Sequence, residues 1–167
     1  MTQSVHDYLA HQIATRADAP AMSDSTGITL NYGALGSACD EVAEFLIANG
    51  VQLGDRVLLL SENCVAAVAV LFASWKIGAC VVPVNARQTE AEVTRVIAHC
   101  KPSIIIMTTN VSTDAQYHAE RLDGVEVTGS YGSMHVVASV GGSSEMAGDV
   151  AVLLYTTGTT GDPKGVM

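Results

Sequence analysis

Apolar residues recur along this chain at two alternating spacings. Between residues 32 and 49, Leu35, Cys39, Val42 and Leu46 return every three or four positions, the period of a helix with one face turned to a core. Gly50 follows as a candidate C-terminal cap. An earlier helix is expected over residues 4–16, then a loop containing Pro20. Gly54 and Asp55 turn the chain into residues 56–60, a short apolar run that predicts a strand. Residues 64–75 are hydrophobic nearly all round, the signature of a buried helix, with Asn63 as its expected cap and Gly78 at its end. Residues 79–84 predict the next strand. Thr89-Glu90-Ala91-Glu92 fits a capping box, in which the Thr hydroxyl accepts from the third helical amide and Glu92 reaches back. That helix is expected to end near Cys100, before Pro102, and residues 103–107 read as a β-branched strand. Thr113-Asp114-Ala115-Gln116 repeats the capping pattern for a helix to about Leu122. Residues 125–127 and 134–137 are short strand candidates, Gly141-Gly142-Ser143-Ser144 a flexible loop, and residues 150–155 a final buried strand.

Strand–helix alternation of this kind implies an α/β fold, a mainly parallel sheet flanked by helices on both faces, with a strand order the sequence leaves open. No internal repeat or low-complexity tract interrupts it. The chain has 167 residues, enough for one domain with a sizeable core. A hydrophobic share of 49% against 15% charged residues fits a folded body and argues against disorder.

Charge removes one class of function. Eight Lys and Arg face 17 Asp and Glu, for a net charge of −9, and no basic stripe offsets that balance, so no nucleic-acid partner is expected. Cys39, Cys64, Cys80 and Cys100 are widely spaced in apolar contexts, which favours buried free thiols over a disulfide framework or a zinc site. His6, His11, His99, His118 and His135 show no metal-ligand spacing, and no metal ligands are expected. The first twenty residues contain Asp7, His11 and Asp18 and no apolar run, so no signal peptide is read there. Residues 65–84 are the most membrane-like, but Lys76, Gly78 and Pro83 interrupt them, and a buried helix followed by a strand fits better than a membrane span. A cytoplasmic location is the expectation.

One segment carries chemistry. Tyr155-Thr156-Thr157-Gly158-Thr159-Thr160-Gly161-Asp162-Pro163-Lys164-Gly165-Val166 follows the last expected strand. So many glycines and threonines make a poor helix and a poor strand. They suit a loop whose amides and hydroxyls converge on an anion. Gly158 and Gly161 lack the Cβ that would hold phosphate oxygens away, and the threonine hydroxyls can donate to those oxygens. Lys164 supplies a compact positive charge that can follow a departing pyrophosphate, with Pro163 stiffening the approach to it. This is not a Walker A sequence, because Lys164 stands between Pro163 and Gly165. The bland alternative is a Gly/Thr surface loop with no ligand.

The string resembles the phosphate-binding signature of the adenylate-forming superfamily: acyl-CoA synthetases, aryl-CoA ligases, luciferases and the adenylation domains of peptide synthetases. Thr157 stands where Ser is commoner there and keeps the hydroxyl. Thr29-Leu30-Asn31-Tyr32 with Leu35, then Gly54-Asp55-Arg56-Val57, Asn63, Gly78-Ala79 and Pro83-Val84-Asn85 are similar to family positions in the same order. Arg56 and Asn63 are expected to be structural. The resemblance spans about residues 4–167. It implies that residues 1–167 are a single partial domain, the amino-terminal part of the large domain of such an enzyme.

What the resemblance implies is a two-step ligase reaction. A small-molecule carboxylic acid attacks the α-phosphate of ATP, used with Mg²⁺, giving an acyl-adenylate and pyrophosphate, and the thiol of coenzyme A then takes the acyl group. Lys164 would be catalytic, and Thr156, Thr157, Gly158, Thr159, Thr160, Gly161, Lys164 and Gly165 would bind the nucleotide phosphates. A carboxylate is ionised at neutral pH, so the first step needs no general base, which suits a chain with no Ser/His/Asp or Cys/His constellation. Family members are several hundred residues long, so this chain alone is expected to be inactive. Two alternatives stand beside this reading. One is an adenylation domain that loads a carrier protein. The other is a non-catalytic interaction fragment that self-associates or packs against a separate remainder.

Overall fold

A computed structural model describes residues 4–138, 150–156 and 164–166. Helix α1 (Val5–Arg16) leads into a small antiparallel hairpin of β1 (Pro20–Ser23) and β2 (Thr29–Asn31). There follow α2 (Tyr32–Ala48), β3 (Arg56–Ser61), α3 (Val65–Lys76), β4 (Cys80–Asn85), α4 (Glu90–Cys100), β5 (Ile104–Met107) and α5 (Thr113–Arg121). Strands β6 (Val125–Gly129), β7 (Gly132–Ala138), β8 (Leu154–Thr156) and β9 (Lys164–Val166) come last among the described residues.

The five-stranded sheet has the order β4-β3-β5-β7-β6. β3 lies between parallel neighbours β4 and β5, whereas β7 is antiparallel to both β5 and β6. β7 is therefore the one reversed strand of this sheet, and the expected α/β class with its mainly parallel strand direction holds. Helices cover both faces, for a reason written into the strands. Side chains alternate across a strand, so Val57 and Leu59 point to one layer while Leu58 and Leu60 point to the other. The first layer joins them to Val81, Ile104 and Ile106 and to Leu35, Val42, Leu46 and Val70 of α2 and α3. The second joins Leu58 and Leu60 to Val82, Ile105 and Met107 and to Val93, Val96 and Ala119 of α4 and α5. Each buried Leu, Ile or Val contributes about 1.5–3 kcal/mol relative to leaving it in water.

Helix starts show where local rules were overridden. The capping box at Thr89 is present as expected, with Glu92 Oε2 accepting from Thr89 N at 2.8 Å. At α3 the cap is Cys64, not Asn63. Its sulfur is a weak acceptor, 3.4 Å from Ala67 N, but Asp24 Oδ2 takes the Val65 amide at 2.8 Å from the β1–β2 hairpin. At α5 the cap is Ser112 rather than Thr113, and Ser112 Oγ accepts from Ala115 N at 3.1 Å.

Three further expectations are corrected. The Pro20 loop belongs to a strand, because Pro at a strand's first residue removes no essential ladder donor. Lys164, Gly165 and Val166, read as loop, form β9. Residues 150–155 are not one buried strand, since Leu153 is buried but Leu154 is 52% exposed at the sheet's margin. The Gly141–Ser144 loop lies outside the described residues. All four cysteines are free and buried, as their apolar contexts implied.

Candidate functional site at the carboxyl edge of the sheet

After β4 the sheet gains one more short contact. Leu153 N donates to Val81 O at 2.9 Å and Val81 N to Ala151 O at 3.0 Å, so the chain at Val152 runs parallel to β4. Trp75 of α3 also reaches this segment, its indole Nε1–H donating to Ala151 O at 2.9 Å. From Val152 the chain continues in the direction of β4 towards the carboxyl ends of β3 and β4. There β8 pairs antiparallel with β9, with Leu154 opposite Val166, Tyr155 opposite Gly165 and Thr156 opposite Lys164. The hairpin therefore projects from the edge at which open α/β sheets bind their ligands.

Thr156 and Lys164 are brought into register by the backbone, and Gly165 lies in β9. Thr157, Gly158, Thr159, Thr160 and Gly161 lie outside the described residues, as do Asp162 and Pro163. Gly165 has a packing reason for lacking a side chain. A Cβ there would stand 3.0 Å from Leu153 Cδ1 and 3.6 Å from Tyr155 Cζ, so β9 closes directly over these two residues.

Beside the hairpin, a cavity of about 390 Å³ opens between the ends of β3 and β4, lined by Ser61, Glu62, Asn63, Asn85, Arg87 and Leu154 among others. A second, of about 330 Å³, shares Ser61, Asn63 and Pro83 with it and continues under the β1–β2 hairpin to Met22, Val68 and Leu71. Two charges organise the first. Arg87 Nε and Nη2 donate to the two carboxylate oxygens of Glu62 at 3.0 and 3.1 Å, a fork-to-fork pair. Glu62 N donates to Thr108 Oγ1 at 3.2 Å, and Asn85 Oδ1 accepts from Arg87 N at 2.9 Å, so both partners are fixed to strand ends. The Arg87 hydrogen bonds, with smaller help from Ser112, hold the Glu62 carboxyl below the usual glutamate range. Sequence reasoning missed Glu62 and Arg87, and named Asn85 only within the family-like Pro83-Val84-Asn85. The signal available was position alone, polar residues just past two apolar strands.

Tyr155 is anchored too. Its Oη lies 2.6 Å from His99 Nδ1 in the last turn of α4, and the rings meet edge to face at 5.5 Å. Burial, followed by the nearby Cys100, pushes the Tyr155 phenol up to about 12, so it stays a neutral hydroxyl. Burial likewise pushes the thiols of Cys39 and Cys100 up to about 12 and Cys80 up to about 11, which leaves these three as unreactive core groups. Among the described residues no group of His, Cys, Asp and Glu could hold a metal ion, and no helix is long and apolar enough to cross a membrane. The described edge offers a backbone hairpin, hydroxyls and a charge-balanced ion pair, groups that can position a polar ligand.

Comparison with known proteins bears on this edge. The family model described as AMP-binding enzyme matches residues 9–167. The chain is 30% identical to 4-coumarate–CoA ligase 5 of Oryza sativa subsp. japonica, over 98% of its own length and 32% of that protein. It is 32% identical to the nonribosomal peptide synthetase tcpP of Claviceps purpurea (strain 20.1), over 98% of its length and 8% of that protein. Among solved structures it is similar to ATP-bound MatB from Rhodopseudomonas palustris, with a TM-score of 0.68 and 26% identity, covering 99% of this chain and 35% of that one. The chain thus spans about a third or less of each of these three relatives.

Proposed function

The chain belongs to the AMP-binding enzyme family, and from that premise we propose that it supplies the pyrophosphate-handling part of a carboxylic acid–CoA ligase. The observation that carries the reading is the β8–β9 hairpin, which leaves the parallel edge at β4 with Thr156 and Lys164 in register. Residues 157–163 connect these strands, and their glycines and threonines are the residue types a phosphate cradle needs. The ATP bound by the similar MatB structure supports a nucleotide as the ligand.

In the first step a substrate carboxylate oxygen attacks the α-phosphorus of ATP, the α–β phosphoanhydride bond breaks, and pyrophosphate leaves with its electrons. The work left to the protein is in-line positioning and neutralisation of charge on the leaving group. The amides and hydroxyls of Thr156, Thr157, Gly158, Thr159, Thr160, Gly161 and Gly165 would hold the phosphates, and Lys164 would follow the departing pyrophosphate. Mg²⁺ enters with ATP as part of the substrate. In the second step the CoA thiolate attacks the acyl carbon and AMP leaves. Residues 1–167 act as one partial domain in this reading, and the isolated chain is inactive.

The similarity to a peptide synthetase favours one second reading, in which the acyl acceptor is a carrier protein. Carboxylate-dependent ATP–pyrophosphate exchange tests the proposal. The 167-residue chain should show none, and the protein encoded by the whole reading frame should show it with some member of an acid panel. Acyl transfer to CoA then separates the two acceptors. A full-length protein that binds ATP yet exchanges with no acid would remove the ligase reading.

A further inference from the structure

The carboxyl end of α4 and the base of the hairpin are joined through one aromatic side chain. Tyr155 pairs with Gly165 across the hairpin and turns its ring toward the α4–α5 layer, where it packs with the core around Leu153 and Cys100. His99 meets it there, Nδ1 to Oη at 2.6 Å and the rings at 86°. The contact works in either tautomer, because a phenol hydroxyl donates to a bare ring nitrogen or accepts from a protonated one. An exposed histidine reaching an intermediate tyrosine from a separate element, 56 positions away, is not needed to fill the core. It holds the ring through Oη instead, beside Leu153, whose Cδ1 would stand 3.0 Å from a Cβ at Gly165.

We infer that His99 is a positioning residue for the hairpin: through Tyr155 it sets where Thr156 and its register partner Lys164 stand relative to the sheet. This rests on the phosphate-handling reading of the hairpin. α4 thereby becomes part of the adenylation machinery without touching substrate, and any shift of its last turn moves the lysine that meets pyrophosphate.

The test uses His99→Ala, His99→Asn, Tyr155→Phe and the His99→Ala/Tyr155→Phe pair. Asn can offer a polar atom near the place of Nδ1. In the 167-residue chain, amide exchange at Tyr155 and Gly165 should rise about five- to tenfold in His99→Ala and Tyr155→Phe, while Leu59 and Ile106 stay unchanged. The double variant should exceed neither single one, and His99→Asn should recover part of the protection. In the full-length enzyme His99→Ala should slow acid-dependent pyrophosphate exchange about tenfold and leave thioester formation from preformed acyl-adenylate intact. Unchanged exchange at Tyr155, uniform loosening that includes Leu59, or additive single effects would each overturn the inference. If the amide coupling holds but Lys164→Ala leaves adenylation untouched, the phosphate reading fails and takes the catalytic part with it. If Lys164→Ala slows adenylation but the coupling is absent, only the role of His99 fails.

Discussion

Trp75 and Ala151 are 76 positions apart, yet the indole N–H of one donates to the carbonyl of the other at 2.9 Å. That carbonyl also accepts from Val81 N, so a helix and a strand share one acceptor on the segment leading into the hairpin. Trp75 approaches from the α3 layer and His99 from the α4 layer, so the segment from Ala151 to Tyr155 is held from both faces of the sheet. A short edge strand with a mostly exposed Leu154 has little burial of its own to keep it in place.

Trp75→Phe should therefore loosen this edge and little else. The ring contact with Phe72, edge to face at 5.3 Å, can persist, and Ala151 O keeps its bond from Val81. The expected cost is about 1 kcal/mol, the net worth of one neutral hydrogen bond. Amide exchange at Leu153 should accelerate while Ile106 stays protected. Equal acceleration at both sites would mean that the indole supports the global core instead.

The paired charges at the cavity predict a pH signature. Arg87 holds the Glu62 carboxyl below the ordinary glutamate range, so its contribution to stability is present above that range and fades as pH falls through the lowered value. NMR titration of the Glu62 side chain should give a midpoint below that of a free glutamate, and Arg87→Ala should move it back up. A Glu62 midpoint indifferent to Arg87→Ala would show the fork to be open in solution.

Thr89→Ala should cost about 1 kcal/mol of stability, seen as a lower denaturant midpoint at constant slope, because it removes the acceptor for Glu92 N and the partner of Glu92 Oε2. Thr89→Ser should cost much less. Equal losses in the two variants would assign the effect to the methyl group and its packing.

This helix start shows what the sequence made legible. Thr89-x-x-Glu92 is a local code, satisfied within one turn, and the apolar run over residues 56–60 was legible as a strand before any topology was known. The caps of α3 and α5 are different. Cys64 suffices because Asp24, 41 positions away, takes the Val65 amide, and the hydroxyl of Ser112 also reaches Glu62 Oε1 at 3.5 Å. Tertiary partners overrode the local preference for Asn63 at α3 and decided between Ser112 and Thr113 at α5. β9 was missed for a related reason. Lys164-Gly165-Val166 has little strand propensity, and its register comes from β8, with Gly165 lying close over Leu153. The Gly/Thr string suggested a phosphate cradle through its residue types alone, the reading proposed above. Glu62 and Arg87 suggested nothing, since a surface glutamate and arginine 25 positions apart carry no pattern until the strands align them.

Lys164→Ala in the full-length enzyme separates the two half-reactions. If Lys164 meets the β- and γ-phosphates, its charge matters only while pyrophosphate is leaving. Adenylate formation should then lose about 2–4 kcal/mol of transition-state stabilisation, by analogy with removal of a single oxyanion donor. Thioester formation from preformed acyl-adenylate should stay nearly intact, because pyrophosphate has already gone. Lys164→Arg should rescue only part, since a planar guanidinium fork is a poor replacement for a compact ammonium beside Gly165. Rapid-quench measurement of each half-reaction decides the matter. Equal slowing of both would make Lys164 a folding or domain-closure residue, and unchanged kinetics would return it to the solvated surface.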